Sequence, residues 1–259
     1  MGEIGLEYGV LWTASLLTAS LSAVLGMAGG ILLLAVMLLF LDPVVAIPIH
    51  AIAQLASNSS RTLVHLRAIR RDLLLPYLIL LVPAGMLSVP LTRHAPPDLL
   101  RAAIGVFVLV ATWRREWLLL GFDPARIPTG PRFTLVGGLA GLLGPVVGAT
   151  GPFIAPVFLG LGLTRFELLG TTAACQATGH LVKIALFGSG GFAFGSHAPL
   201  YLGMIVAVVL GTSLGTKLLE RIPEERFPLI YKTALTAVAA RLVWSGVAAW
   251  TAGADPSAA

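Results

Sequence analysis

The sequence predicts an all-α integral membrane protein that consists of two inverted-topology repeats. Three observations lead to this fold class: the composition, a duplication of sequence features, and the distribution of the cations among the loops. Of the 259 residues, 57% are apolar and 11% are charged, whereas a soluble domain has about 25% charged residues. Several apolar blocks reach the roughly 20 residues that cross a bilayer as a helix. Too few charges remain to cover a surface that faces water.

The duplication is visible as a set of features that recur at one spacing. The glycine-rich motif at 26–31 corresponds to the motif at 148–153, an offset of 148 − 26 = 122 residues. Three polar pairs follow at the same offset without a gap: Gln54 and Gln176, Asn58 and His180, and Arg61 and Lys183. We therefore predict a first repeat over 1–120 and a second over 133–259, joined by a basic cytoplasmic linker over 121–132.

Each repeat divides into five apolar segments. In the first repeat they are 10–25, 28–41, 44–66, 73–92 and 98–113, and in the second they are 133–147, 152–163, 167–187, 199–216 and 228–250. Five is an odd number, so the second repeat must enter the membrane from the opposite side. This arrangement is typical of inverted-repeat transporters.

The loop cations fix the orientation of these segments. If the loop after the third segment is cytoplasmic, the loops on that side hold eleven cations: Arg67, Arg70, Arg71, Arg114, Arg115, Arg126, Arg132, Arg165, Lys217, Arg221 and Arg226. The loops on the other side hold Arg93. Cytoplasmic loops carry the excess of Arg and Lys, which predicts a multi-pass protein of the inner (plasma) membrane with both termini in the periplasm.

The first two segments of each repeat are interpreted as a short re-entrant hairpin. A helix over 28–41 or 152–163 covers about 20 Å at 1.5 Å per residue, less than the 30 Å hydrocarbon core. The second limb begins at the tip, and its free N–H groups favour anions. The predicted tip residues are Gly26, Ala28, Gly29, Gly30, Gly148, Thr150 and Gly151. Helix packing is the alternative for these glycines, and we favour packing for Gly137, Gly141 and Gly144.

Two polar stripes and one further cation complete the predicted site. Residues spaced by three and four lie on one helix face, which groups Gln54, Asn58 and Arg61, and in the second repeat Gln176, His180 and Lys183. Charged side chains inside a membrane segment are costly and by default functional. Snorkelling to the headgroups is the alternative for Arg61 and Lys183. Arg241, near the middle of the last segment, is a further candidate for the site.

The acidic residues define the charge of the interior. All 12 Asp and Glu residues lie in loops or at segment ends, so the interior is net positive and suits an anion. Proton coupling through a buried carboxylate is thereby disfavoured, which leaves His50, His65 or His180 as candidates. The single Cys175 and the absence of Cys/His metal spacing predict neither disulfide, metal nor cofactor. No part of the sequence is suited to nucleic acid.

The two glycine-rich motifs, the duplication and the basic loop between the repeats together resemble the TauE/SafE family of sulfite and organosulfur anion transporters. The resemblance covers nearly the whole chain. It implies export or uptake of sulfite, of sulfonates such as sulfoacetate, or of related small oxyanions across a bacterial inner membrane.

These observations predict a secondary transporter that works by alternating access, with a small anion and the lipid bilayer as its partners. A passive anion channel, or a permease for another small oxyanion or a carboxylate, is the alternative. An intramembrane enzyme is disfavoured, since HExxH, GxSxG and a pair of membrane-embedded aspartates are all absent from the sequence. A homodimer, the direction of transport and the coupling ion are left open.

Overall fold

A computed structural model shows the fold over residues 2–25, 28–114, 117, 118, 123, 126–158, 161–218 and 227–253. Within these ranges the chain is helical and contains no strand. The α-helices are α1 (Gly2–Leu25), α2 (Ala28–Met37), α3 (Pro43–Val64), α4 (Arg71–His94), α5 (Pro97–Trp113), α6 (Thr129–Val147), α7 (Gly151–Ile154), α8 (Arg165–Ser189), α9 (Ala198–Leu218) and α10 (Phe227–Gly253). Short 3₁₀ helices cover Leu66–Ala68, Ala155–Phe158 and Phe194–His197.

The first helix of each repeat is longer than predicted. α1 has 24 residues and α6 has 19, which correspond to about 36 and 28 Å. α1 continues through Glu3 and Glu7 because acidic residues in the first turns favour a helix N-terminus. The expectation of two short limbs in each hairpin is therefore wrong for the first limb. Of the predicted linker, residues 121, 122, 124 and 125 lie outside the described residues, and α6 already begins within it.

The second limb is short in both repeats, and in the second repeat it is not a continuous α-helix. α2 has ten residues, whereas α7 has four and is followed by the 3₁₀ helix Ala155–Phe158. Pro156 lies in this stretch and has no N–H to bond back to the preceding turn. The predicted helix over 152–163 is therefore wrong beyond its first turn.

Four helical stretches are long and apolar enough to cross a membrane, judged by length and composition over the described residues. They are Arg71–His94, Thr129–Val147, Phe194–Gly215 and Leu235–Ala252. Prolines 76, 83 and 90 lie within α4, and membrane helices tolerate such residues because neighbouring helices satisfy the freed carbonyls. The structure thus confirms an all-helical protein with several candidate spans.

The helices pack as four main pairs: α1 along α9, α4 along α6, α5 along α10, and α3 along α8. Glycines make the closest approaches possible. Gly137 and Gly141 of α6 lie directly against the carbonyl oxygens of Tyr77 and Leu81 on α4, which leaves no room for a Cβ. The packing interpretation of these two glycines is confirmed, as expected for small residues at membrane helix interfaces.

Candidate functional site

Polar side chains are concentrated on the buried faces of α3 and α8. On α3 they are His50, Gln54 and Asn58, and on α8 they are Thr172, Gln176, His180 and Lys183; each is at most 7% exposed. We call these seven residues the polar cluster. The helices that carry them pack along each other, and the His50 and His180 rings meet edge to face with centroids 5.8 Å apart. Five of the predicted site residues are therefore buried together at one helix interface.

In the first repeat the polar cluster contacts the glycine-rich motif directly. Nε2 of His50 lies 2.8 Å from the carbonyl oxygen of Gly30. A Cβ on Gly30 would come within 2.8 Å of Oε1 of Gln54. Glycine at this position therefore leaves space for the glutamine. Asn58 donates from Nδ2 to the backbone oxygen of Gln54 at 2.9 Å, and its Oδ1 accepts a 2.7 Å hydrogen bond from Arg61.

The second repeat makes an analogous contact through a cation. Lys183 donates from Nζ to the carbonyl oxygen of Gly148 at 2.7 Å. Gly148 ends α6 with φ of 72°, in the left-handed region that favours glycine. A Cβ at Gly148 would collide with Leu34 of α2, so the motif of one repeat lies against the second limb of the other. Thr150 is buried beside Gly144 and Lys183.

The charge of Lys183 is buried without a carboxylate beside it. Lys183 is 3% exposed. This burial does not fit a side chain that snorkels to the lipid headgroups. The ion pairs among the described residues join groups at helix ends or in loops: Arg70–Asp72, Arg70–Glu167, Arg101–Asp42, Arg101–Asp98 and Arg126–Asp123. An isolated buried ammonium is costly unless a compensating group lies beside it.

Several buried polar atoms have no hydrogen-bond partner within the described part of the chain. They are Nδ1 of His50 and of His180, Nε2 of Gln176, Oγ1 of Thr172 and Oη of Tyr77. Three of these groups, the amide, the hydroxyl and the phenol, are hydrogen-bond donors. A buried donor without a partner costs about 1–3 kcal/mol.

A small cavity lies beside the polar cluster, between α4, α6 and α8. Its lining includes Thr150, His180 and Lys183. Its volume of about 10 Å³ corresponds to about one water molecule. A polyatomic anion fits beside Lys183 only after the surrounding helices move apart.

The remaining predicted residues lie outside the polar cluster. Ala28 begins α2, and Gly151 begins α7 and is buried. Gly29 packs against the carbonyl oxygen of Thr18 on α1, so it serves helix packing. Gly26 lies outside the described residues.

Arg241 does not lie with the polar cluster. It lies on the exposed face of α10, whereas the polar cluster is buried between α3 and α8. The position of Arg241 in the last apolar segment indicates its depth along the helix. The segment carries no polar stripe that could fix the face, because the residues around Arg241 are nearly all apolar or small.

Three residues of the site were missed or given too little weight. His50 and Thr172 lie four residues before Gln54 and Gln176 and are related by the offset 172 − 50 = 122, so the repeat itself could have identified them. Tyr77 is fully buried on α4, and its hydroxyl would lie 3.4 Å from a Cβ on Gly179 of α8. No feature of the sequence identifies Tyr77 as a residue of the site.

At one end of α3 and α8 the two loops meet at the surface. Arg70 forms ion pairs with Asp72 at 2.7 Å and Glu167 at 3.7 Å. Nε and Nη2 of Arg70 donate hydrogen bonds to the two carboxylate oxygens of Asp72 at 2.9 and 2.7 Å. The pKa of Glu167 is lowered mainly by the backbone N–H and the hydroxyl of Thr164, with which it forms a capping box at the start of α8. This corner joins the ends of the two helices that carry the polar cluster.

Long apolar helices around a buried cationic cluster define a polytopic helical membrane protein. The family model of the sulfite exporter TauE/SafE matches residues 11–242, which is most of the chain, and the protein belongs to this family. The resemblance found in the sequence is thus confirmed. Members of this family are transporters rather than enzymes. Neither the curated proteins nor the solved structures contain a match to the chain.

Proposed function

We propose that the protein is a secondary transporter that moves sulfite, or an organosulfonate such as sulfoacetate, across the bacterial inner membrane by alternating access. The observation that carries this proposal is the buried ammonium of Lys183, which has a backbone carbonyl and no carboxylate beside it among the described residues. Family membership supports transport of a small anion. The polar cluster is where such an anion binds.

The groups of the polar cluster suit a sulfur oxyanion in particular. Such an ion carries several acceptor oxygens around one centre, and Lys183 and Gln176 offer donors on the same face of α8, two turns apart. Hydrogen bonds in which one partner is charged are about twice as strong as neutral ones. An anion held between these two side chains satisfies the free amide donor of Gln176 and compensates the buried charge of Lys183.

The helix pairs support two repeats related by an approximate two-fold axis. The first helix of each repeat packs along the fourth helix of the other, α1 with α9 and α6 with α4. The third helices, α3 and α8, pair with each other, as do the fifth, α5 and α10. Exchanging the repeats leaves this set of pairs unchanged, as expected for an inverted repeat.

Contacts between distant segments support the proposed grouping of the segment ends, and the loop cations then decide which group is cytoplasmic. Each of four contacts joins segments that the positive-inside rule puts on the same side. Those on the cytoplasmic side are Arg70–Glu167 and Trp113–Thr236, and those on the periplasmic side are Asp42–Arg101 and Trp12–Leu200. Periplasmic termini and cytoplasmic basic loops follow from this orientation.

The cavity beside Lys183 has a volume of about 10 Å³, which is too small for a polyatomic anion. A carrier and a channel would both need helix movements to admit the anion, so flux measurements have to separate them. We propose the carrier because many inverted-repeat membrane proteins are secondary transporters. Alternating access then consists of helix movements that open this space to one side at a time.

Ligand-induced thermal stabilisation of the detergent-purified protein tests the proposal. The panel contains sulfite, sulfate, thiosulfate, sulfoacetate and carboxylates of similar size. The Arg61→Gln/Lys183→Gln variant removes two cations from the proposed site, and the Arg93→Gln/Lys232→Gln variant removes two cations elsewhere. We expect saturable stabilisation by a sulfur oxyanion in the wild type and in the control variant, and its loss in the site variant.

Two results contradict parts of this proposal. If only a cation or a neutral solute stabilises the wild type, the protein does not bind anions. If the site variant is stabilised as strongly as the wild type, the anion binds outside the polar cluster, for example at the hairpin tips alone. Counterflow of labelled sulfite in proteoliposomes separates the carrier from the channel, because only a carrier exchanges substrate across the membrane by a saturable step.

A further inference from the structure

The polar cluster contains a pair of histidines, one from each repeat. His50 is 1% exposed and His180 is 4% exposed, and their ring centroids lie 5.8 Å apart. Nothing in the sequence brings them together, since they are not related by the 122-residue offset. The two rings meet because α3 packs along α8.

The hydrogen bond to Gly30 determines the protonation of the first ring. A carbonyl oxygen only accepts hydrogen bonds, so Nε2 of His50 must carry a proton to bond to Gly30 at 2.8 Å. In the neutral ring Nδ1 is therefore an unprotonated acceptor. This atom is buried and has no partner among the described residues, and the same holds for Nδ1 of His180. The pair therefore has a free position for one proton.

The charged groups around the pair are cationic. The charged side chains that act on the pair are Lys183 on α8 and Arg61 on α3. Cys175 on α8 and Tyr77 on α4 are further buried titratable groups of these helices, and both belong to one hydrophobic cluster. The stretches of α2, α6 and α9 that pack nearby contain no Asp or Glu. The carboxylates at the ends of the packed helices are Asp42, Asp72 and Glu167. A proton on the pair thus adds a second positive charge inside the polar cluster, beside that of Lys183 and in addition to that of Arg61 next to the cluster. No carboxylate among the described residues lies near enough to compensate it.

We propose that the His50–His180 pair is a proton-binding site that is filled together with the substrate anion, so that each anion crosses the membrane with one proton. This inference rests on the proposed function. The bound anion supplies the negative charge that makes the second cation acceptable. The protonated Nδ1 in turn becomes a further donor to the anion. The proton enters from the side to which the site is open and leaves with the anion on the other.

Thermodynamic linkage determines the direction in which pH changes the affinity for the anion. If the anion-bound state holds one more proton than the free state, the anion binds more tightly as the pH falls, by up to about tenfold per pH unit. Binding is measured between about pH 5 and 8, and the effect extends over the part of this range in which the anion-bound protein holds the proton and the free protein does not.

Calorimetry with sulfite measures the coupled proton. The heat of binding is recorded at one pH in two buffers of different ionisation enthalpy, which gives the number of protons taken up. Sulfite itself gains a proton in this pH range, so the wild type is compared with His50→Gln and His180→Gln under identical conditions. His94→Gln, an exposed histidine at the end of α4, is the matched control. We expect the wild type and the control to take up about one proton more than either site variant.

The outcomes separate this inference from the proposed function. If sulfite binds to the wild type and to both site variants with the same proton number, the histidine pair does not couple and the inference is wrong, while the transporter stands. If the wild type does not bind sulfite, sulfite is not the substrate, and both proposals fail in their present form.

Nuclear magnetic resonance of the wild-type protein tests the inference without any variant. The chain has five histidines, so ¹⁵N labelling of histidine gives five pairs of ring signals. We expect Nδ1 of His50 to be unprotonated in the free protein, and one buried ring to become fully protonated when sulfite is added. Ring signals that stay unchanged while sulfite binds overturn the inference.

Discussion

Replacing Gly137 with alanine tests how closely α4 and α6 must approach. The added Cβ would overlap the carbonyl oxygen of Tyr77 and lie 3.1 Å from its Cα. The obstacle is backbone and cannot rotate away, so the two helices must separate. Overpacking of this kind costs about 1–3 kcal/mol. Alanine recovers part of that cost, since it is favoured over glycine in a helix by about 1 kcal/mol.

Gly130→Ala on the same helix is the matched control, because no atom lies within 4 Å of its Cβ position. We expect this variant to be as stable as the wild type or slightly more stable. Gly137→Ala is then less stable than Gly130→Ala by about 1–3 kcal/mol, measured by unfolding of the detergent-purified proteins. Gly138→Ala lies between them, since its Cβ meets the Leu80 side chain at 3.2 Å. Equal stability of the Gly137 and Gly130 variants refutes the packing argument.

Three further predictions concern the site and the start of α8. Lys183→Gln keeps a donor for Gly148 but removes the positive charge, so we expect the affinity for sulfite to fall by roughly 10- to 150-fold. Lys232→Gln, the control, should bind sulfite as tightly as the wild type. Binding isotherms of the three proteins measure this difference. Thr164→Ala removes the N-cap of α8 and lowers the unfolding free energy by about 1 kcal/mol, while Thr251→Ala leaves it unchanged. The lowered pKa of Glu167 means that its stabilising effect is present above the ordinary carboxyl pKa of about 4 and is lost as the pH falls through the lower folded value. Glu167→Gln is thus less stable than the wild type at pH 7, and thermal unfolding at low pH shows the two converging.

The sequence was most informative where residue spacing alone determines which face is buried. The intervals of four and three between Gln54, Asn58 and Arg61 define one helix face, and the structure buries the first two of these and their counterparts on α8. The helices themselves follow from long apolar blocks with few breaks, so each predicted segment overlaps a helix.

The parts that could not be predicted depend on contacts between helices. Tyr77 belongs to the site because α4 packs on α8, and no local pattern encodes that. The face of Arg241 is set by how α10 packs on α5. The early end of α7 was in principle readable, since Pro156 is a strong helix breaker. The apolar composition of 152–163 concealed this break.

The way the first and fourth helices are exchanged between the repeats limits which parts can move as rigid bodies. α1 packs along α9 and α4 along α6, so a hinge between residues 1–120 and 133–259 would have to separate two interfaces at which glycines lie against backbone carbonyls. A moving unit must instead combine helices from both repeats and slide past the α3–α8 pair. The two repeats synthesised as separate polypeptides should each fail to fold alone, yet assemble when they are produced together, because each provides the groove into which the other's first helix fits.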